Sequence, residues 1–167
     1  MEMTHYMELL ASNQPWNLII YMAIPVILAE TLAIAELYLL FTRNFGGTVK
    51  KISKWAGILA GIYFLGIFLY LFKTAYIPIT MGGEWRGFAD VIAVSFYLLV
   101  VVPLMGICLN ELGIINSKKD DEGKLRSHAI FVAIFLVVAH IAMIFGMINP
   151  SIFSTSPSTM PTNMGQH

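Results

Sequence analysis

Two carboxylates, Glu30 and Glu36, lie in the apolar stretch Ile24 to Glu36, IPVILAETLAIAE. A carboxylate in hydrocarbon costs ~3 kcal/mol on insertion scales and more in simulations, so intramembrane acids mark ion or proton sites by default. Four more titratable side chains fall in or at the edges of other apolar stretches: Asp90, Glu111, His128 and His140. Carboxylate with imidazole suits a transition-metal ion. It also suits proton relay, because imidazole titrates near neutrality and burial raises a carboxyl pKa. A third chemistry is haem b or quinone binding through His140. Haem needs a second axial ligand, and only a methionine such as Met22 or Met105 could supply it from another apolar stretch. The cofactor stays open between a metal ion and haem.

A softer metal signal lies near the N-terminus. Met3, His5 and Met7 in MEMTHYM, echoed by Met160, Met164 and His167 in the tail, combine thioether with imidazole, a donor set that suits Cu(I).

These residues need elements to hold them. The chain has 167 residues, of which 57% are hydrophobic and 12% charged, and its mean hydropathy is +0.74. Soluble domains carry about 25% charged residues. Four apolar runs predict transmembrane helices at about 17–42, 55–77, 87–115 and 128–149, each long enough for a ~30 Å hydrocarbon core. The expected fold is all-α, an integral membrane up-down bundle of four transmembrane helices in the lipid bilayer. Residues 1–16 read as an interfacial segment, with Thr4 capping a short helix and Pro15-Trp16 at the interface. Residues 150–167 read as a disordered tail. The N-terminus lacks the basic residues and cleavage site of a signal peptide.

Orientation follows from the basic residues. Arg43, Lys50, Lys51 and Lys54 fall in the first loop, and Lys118, Lys119, Lys124 and Arg126 in the third; only Lys73 and Arg86 flank the second. The positive-inside rule places loops one and three in the cytoplasm and both termini outside. At 1.5 Å per residue, Glu30 and His140 then share a mid-membrane depth. Glu36 lies about 9 Å nearer the cytoplasm and about 120° around the helix. The expected site is a Glu30–His140 pair at the midplane, with Glu36, Glu111 and His128 at the inner edge and Asp90 at the outer mouth.

Ordinary roles compete for some of these residues. Glu36 could pair with Arg43, Glu111 could pair with Lys118, and Asp90 could be an interfacial acid close to Arg86. Pro25 and Pro103 each free a carbonyl one turn earlier, at Tyr21 and Leu99. Gly57, Gly61 and Gly66 would let another helix approach closely. An offset of 75 residues lays Glu36-Leu37 on Glu111-Leu112, but few other positions agree, and it reads as coincidence.

The opening HYMELLASNQPWNLIIYMAIPVILAETLAIAELYLLFTRNFGG (His5 to Gly47) resembles small four-span bacterial membrane proteins of uncharacterised function, some labelled permeases. That resemblance implies a bacterial cytoplasmic membrane protein and assigns no site residues. Net charge is zero, so nothing favours nucleic acid as a partner. No GxSxG, HExxH, P-loop or GxGxxG signature is present. The expected function is handling of a cation, a transition metal or a proton, by a homo-oligomer or within a larger membrane complex. The alternatives are a redox subunit and a non-catalytic accessory subunit whose partner surfaces would be the glycine face of the second span and Ala142/Gly146.

Overall fold

The computed structural model describes residues 3–43, 47–116 and 120–149. The tail from residue 150, with Met160, Met164 and His167, lies outside the described residues, as do Lys118 and Lys119. The described chain is all-helical. A short helix α1 (His5–Ala11) precedes four helices long and apolar enough to cross a membrane: α2 (Trp16–Thr42), α3 (Thr48–Gly82), α4 (Phe88–Glu111) and α5 (Asp121–Met147). Each long helix packs on its neighbours in the chain, and α5 closes back on α2.

The central helix is α4. Its most apolar window is 61% buried, against 17% for that of α2. Large apolar side chains such as Ile34, Phe41, Leu69 and Val137 point outward instead. Apolar residues inside and out is the pattern of a bundle whose solvent is itself apolar. The surface is compatible with a lipid bilayer.

Glycine sets the tightest helix contact. A Cβ on Gly61 would overlap Cys108 Cβ and lie 3.0 Å from the Leu104 carbonyl oxygen, and one on Gly57 would lie 2.8 Å from Ile107 Cγ2. Thus α3 and α4 approach backbone to side chain at these two positions. Gly66 faces open space, with nothing within 4 Å of its Cβ position. Gly146 is covered by the Tyr6 ring, 2.7 Å from its Cβ position, and Ala142 is buried. The small-residue faces expected to receive a partner protein are therefore covered within the chain itself, Gly66 excepted.

Proline shapes two of the long helices in one way. Ahead of Pro25, residues Ile19–Ala23 form a π-turn in which the Ile24 N–H donates to the Ile19 carbonyl. Pro25 has no N–H to give. The carbonyls of Ile20 and Tyr21 are therefore left over, and two tyrosines take them: the Tyr63 hydroxyl donates to Ile20 O at 2.8 Å, and the Tyr97 hydroxyl donates to Tyr21 O at 2.9 Å. A second π-turn, Phe72–Tyr76, precedes Pro78, with the Ile77 N–H donating to Phe72 O. The wider turn absorbs the proline ring and the helix runs on. For this reason α3 reaches Gly82 rather than stopping near residue 77, and the expected loop from Pro78 to Arg86 shrinks. Gly83, at φ 67°, ends the helix in the left-handed conformation.

Other boundaries also differ from expectation: α3 begins at Thr48 rather than near residue 55, and α4 ends at Glu111 rather than near 115. α5 begins at Asp121, ahead of His128, because Asp120 caps it through Gly123 N–H at 3.0 Å, with Asp121 and Glu122 in the first turn. α4 breaks at Val100, three residues before Pro103, into the segments Phe88–Leu99 and Val101–Glu111.

The glycine contact makes a sharp prediction. Gly61→Ala should destabilise the detergent-solubilised protein by about 1–3 kcal/mol, the usual range for overpacking, while Gly66→Ala should be close to neutral. The single cysteine, Cys108, is buried, so a thiol-reactive dye followed during thermal melting reads both variants.

Candidate functional site: a buried acid–histidine cluster

The polar residues gather at the two ends of the bundle. At the end bearing most of the basic residues, all four long helices contribute to one cluster. α2 supplies Glu36, α3 supplies Lys50 and Ser53, α4 supplies Glu111 and α5 supplies His128. His128 and Ser53 are fully buried and Glu36 is nearly so. His128 Nδ1 lies 3.0 Å from Glu36 Oε2 and 3.3 Å from Glu111 Oε1. Lys50 Nζ lies 3.5 Å from Glu111 Oε1.

Local packing explains why these groups meet. Gly57 leaves room beside α4, and its Cβ position lies 3.6 Å from Glu111 Cγ. The Asn110 side chain donates to the Lys124 carbonyl at 3.3 Å and accepts from Asn116 at 3.2 Å, tying the end of α4 to the start of α5. An Arg43–Glu122 ion pair ties the end of α2 to the same place.

An approach of 3.0 Å is not by itself a completed hydrogen bond. The approaches of His128 to both carboxylates lie off the hydrogen-bonding direction. Among the described residues, Glu36 Oε1 and Oε2, Ser53 Oγ, and His128 Nδ1 and Nε2 are buried without a hydrogen-bond partner. Leaving one such group unsatisfied costs about 1–3 kcal/mol, more when it is charged. Five in one place is not the signature of a network built for stability.

Of the ordinary roles foreseen for these acids, the Glu36–Arg43 pairing is not the one formed. Arg43 is engaged with Glu122 rather than Glu36. Glu111 is approached by Lys50, and Lys118 lies outside the described residues. Arg86 reaches Asp90 through its backbone N–H, at 3.2 Å, while its guanidinium binds the Met3 carbonyl and the Glu8 carboxylate.

At the opposite end a second polar group holds α1 onto the bundle. Asp90 is fully buried. It accepts from the His5 backbone N–H at 2.7 Å and lies 2.6 Å from His5 Nδ1. The Thr4 hydroxyl caps α1 through Met7 N–H and donates to the Gly146 carbonyl at 2.7 Å. Burial pushes the Tyr6 hydroxyl up to about 12, so it stays neutral at ordinary pH. Met3, His5 and Met7 sit in three different surroundings: Met3 is exposed, His5 is engaged by Asp90, and Met7 packs against the core.

Glu30 and His140, expected as a midplane pair, line one groove between α2 and α5, and both are exposed there. They do not bond each other. His140 Nδ1 instead lies 2.6 Å from the Leu136 carbonyl, within its own helix. Met22 lines the same groove. The inner trio of Glu36, Glu111 and His128 could be assembled from the sequence by depth. Lys50, which reaches Glu111, and Ser53, buried one turn from it on α3, were not foreseen as members; the packing of α3 on α4 brings them in. Among the described residues, no group of three His, Cys, Asp or Glu side chains is arranged to hold a metal ion.

The chain belongs to a family of unknown function, DUF6803, whose profile matches residues 1–162. No curated protein and no solved structure matches it.

Asp90→Asn should loosen α1. A charge-assisted hydrogen bond is worth about 1.5–3 kcal/mol, so amide exchange across α1 should rise by at least about tenfold in hydrogen–deuterium exchange. Protection of α3 and α4 should hardly change.

Proposed function

We propose that this chain is a proton-handling membrane protein, and that the cluster of Glu36, His128 and Glu111 is where the proton is taken up and released. The observation that carries the reading is the set of five buried, unpartnered polar atoms on Glu36, Ser53 and His128. A cluster with two carboxylates and one ammonium carries one surplus negative charge while the imidazole is neutral. One proton on His128 balances it. An imidazole set between two carboxylates is a group suited to reversible proton exchange.

A proton suits this cluster better than a divalent transition metal. The Lys50 ammonium already stands beside Glu111, and a cation next to a ligand carboxylate opposes a second cation. Lys50 is also the member that reaches outward, with 26% of its side chain exposed, so it marks the route between the cluster and the basic end of the bundle. By the positive-inside rule that end faces the cytoplasm, with both termini outside. The resemblance of residues 5–47 to bacterial proteins favours a bacterial cytoplasmic membrane. In that orientation the Asp90–His5 contact closes the outer end.

The protein reconstituted into liposomes, with a pH-sensitive dye inside and a valinomycin potential applied, should show proton uptake above protein-free vesicles. Glu36→Gln and His128→Gln should each lower it about tenfold or more. Infrared difference spectra of the unmodified protein across a pH jump should show a buried carboxyl or imidazole band that Glu36→Gln alters. Flux indistinguishable from empty vesicles, together with a silent difference spectrum, would sink the proposal.

A further inference from the structure

A groove of about 350 Å³ runs between α2 and α5, at the small end of the range for ligand pockets. Alanines make it. Ala29 and Ala33 on α2 face Ala139 and Ala142 on α5, so the two helices enclose space instead of interlocking. Its aromatic lining includes Phe64 from α3, Tyr97 from α4 and Phe135 from α5.

Two polar groups interrupt this apolar lining. Glu30 makes no ion pair or hydrogen bond among the described residues, and α2 carries no Lys or Arg between Trp16 and Thr42. A carboxylate at mid-span with no basic residue near it calls for a cation or a proton. His140 is the second group. With Nδ1–H donating to Leu136 O, the neutral ring presents Nε2 as an acceptor. The groove thus offers two hydrogen-bond acceptors, one of them anionic, beside aromatic faces that also attract cations.

We propose that the groove between α2 and α5 is a binding site for a lipid-soluble ammonium ion. Its apolar body lies on the alanine and aromatic lining, and its N–H groups donate to Glu30 and to His140 Nε2. Charge complementarity selects the occupant, because a neutral molecule of the same shape leaves the Glu30 carboxylate unpaired. The titratable groups facing the groove are Glu30 and Tyr21 from α2, Tyr6 from α1, Tyr97 from α4 and His140 from α5, while α3 contributes only Phe64. This site is separate from the Glu36–His128–Glu111 cluster and does not depend on it.

Propranolol, a naphthyl secondary ammonium, titrated calorimetrically into the detergent-purified full chain is a direct probe. Saturable binding at one site is expected. Glu30→Gln should weaken it at least tenfold, and Ala139→Leu, which fills the groove, should do the same. Glu36→Gln should leave it within about twofold, so this result stands apart from the proton-flux assay. Glu30 is exposed, and an unchanged thermal melt for Glu30→Gln separates lost binding from lost folding. Equal uptake by the unmodified protein and Glu30→Gln would overturn the proposal. So would a neutral naphthyl ether binding as tightly as the amine, or saturable binding of a hydroquinone in place of the amine.

Discussion

Every backbone or side-chain polar group inside an apolar bundle must find its partner within the protein, and most of this structure follows from that requirement. Pro25 leaves two carbonyls of α2 without their helical donors, and hydroxyls from α3 and α4 supply the bonds. Asp90, fully buried, is satisfied by two backbone N–H groups and an imidazole, and in satisfying it the chain pins α1 across one end of the bundle. The same rule makes the exceptions informative. The five unpartnered atoms on Glu36, Ser53 and His128 and the unpaired carboxylate of Glu30 stand where the rule is not met.

Packing decides which acids fall inside. Gly57 and Gly61 allow α3 to lie directly on α4, which makes α4 the axis about which the other helices arrange themselves. Glu36 then points into the bundle and Glu30 does not, although the two share a helix only six residues apart. One carboxylate joins a multi-helix cluster, and the other opens onto a groove at the bundle surface. The division separates a buried cluster at the basic end from a groove at the side of the bundle.

Much of the fold was legible in the residues. Four apolar runs of sufficient length, separated by loops of unequal charge, point to four membrane-competent helices because backbone in hydrocarbon has few alternatives to helix. Thr4 as a cap and Gly57 and Gly61 as a contact face follow from local chemistry. The end of α3 was not legible. Pro78 reads as a breaker, but a π-turn at Phe72–Tyr76 lets the helix pass through it. The ion pair of Arg43 was also misjudged. Spacing along one helix suggested Glu36 as its partner, and the structure supplies Glu122 from α5.

Composition and spacing alone determined that this chain forms helices long and apolar enough to span a membrane, and which ionisable residues lie in or beside them. Depth along a helix follows from residue count, so Glu36, Glu111 and His128 could be set at one level, as could Glu30 and His140. Depth says nothing about azimuth. Whether two residues at one level meet depends on how each helix is rotated about its axis, and that rotation is set by side-chain fit between helices distant in sequence. The tertiary structure therefore decided that His128 lies between Glu36 and Glu111, that Lys50 and Ser53 join them, and that Glu30 and His140 share a groove rather than a bond.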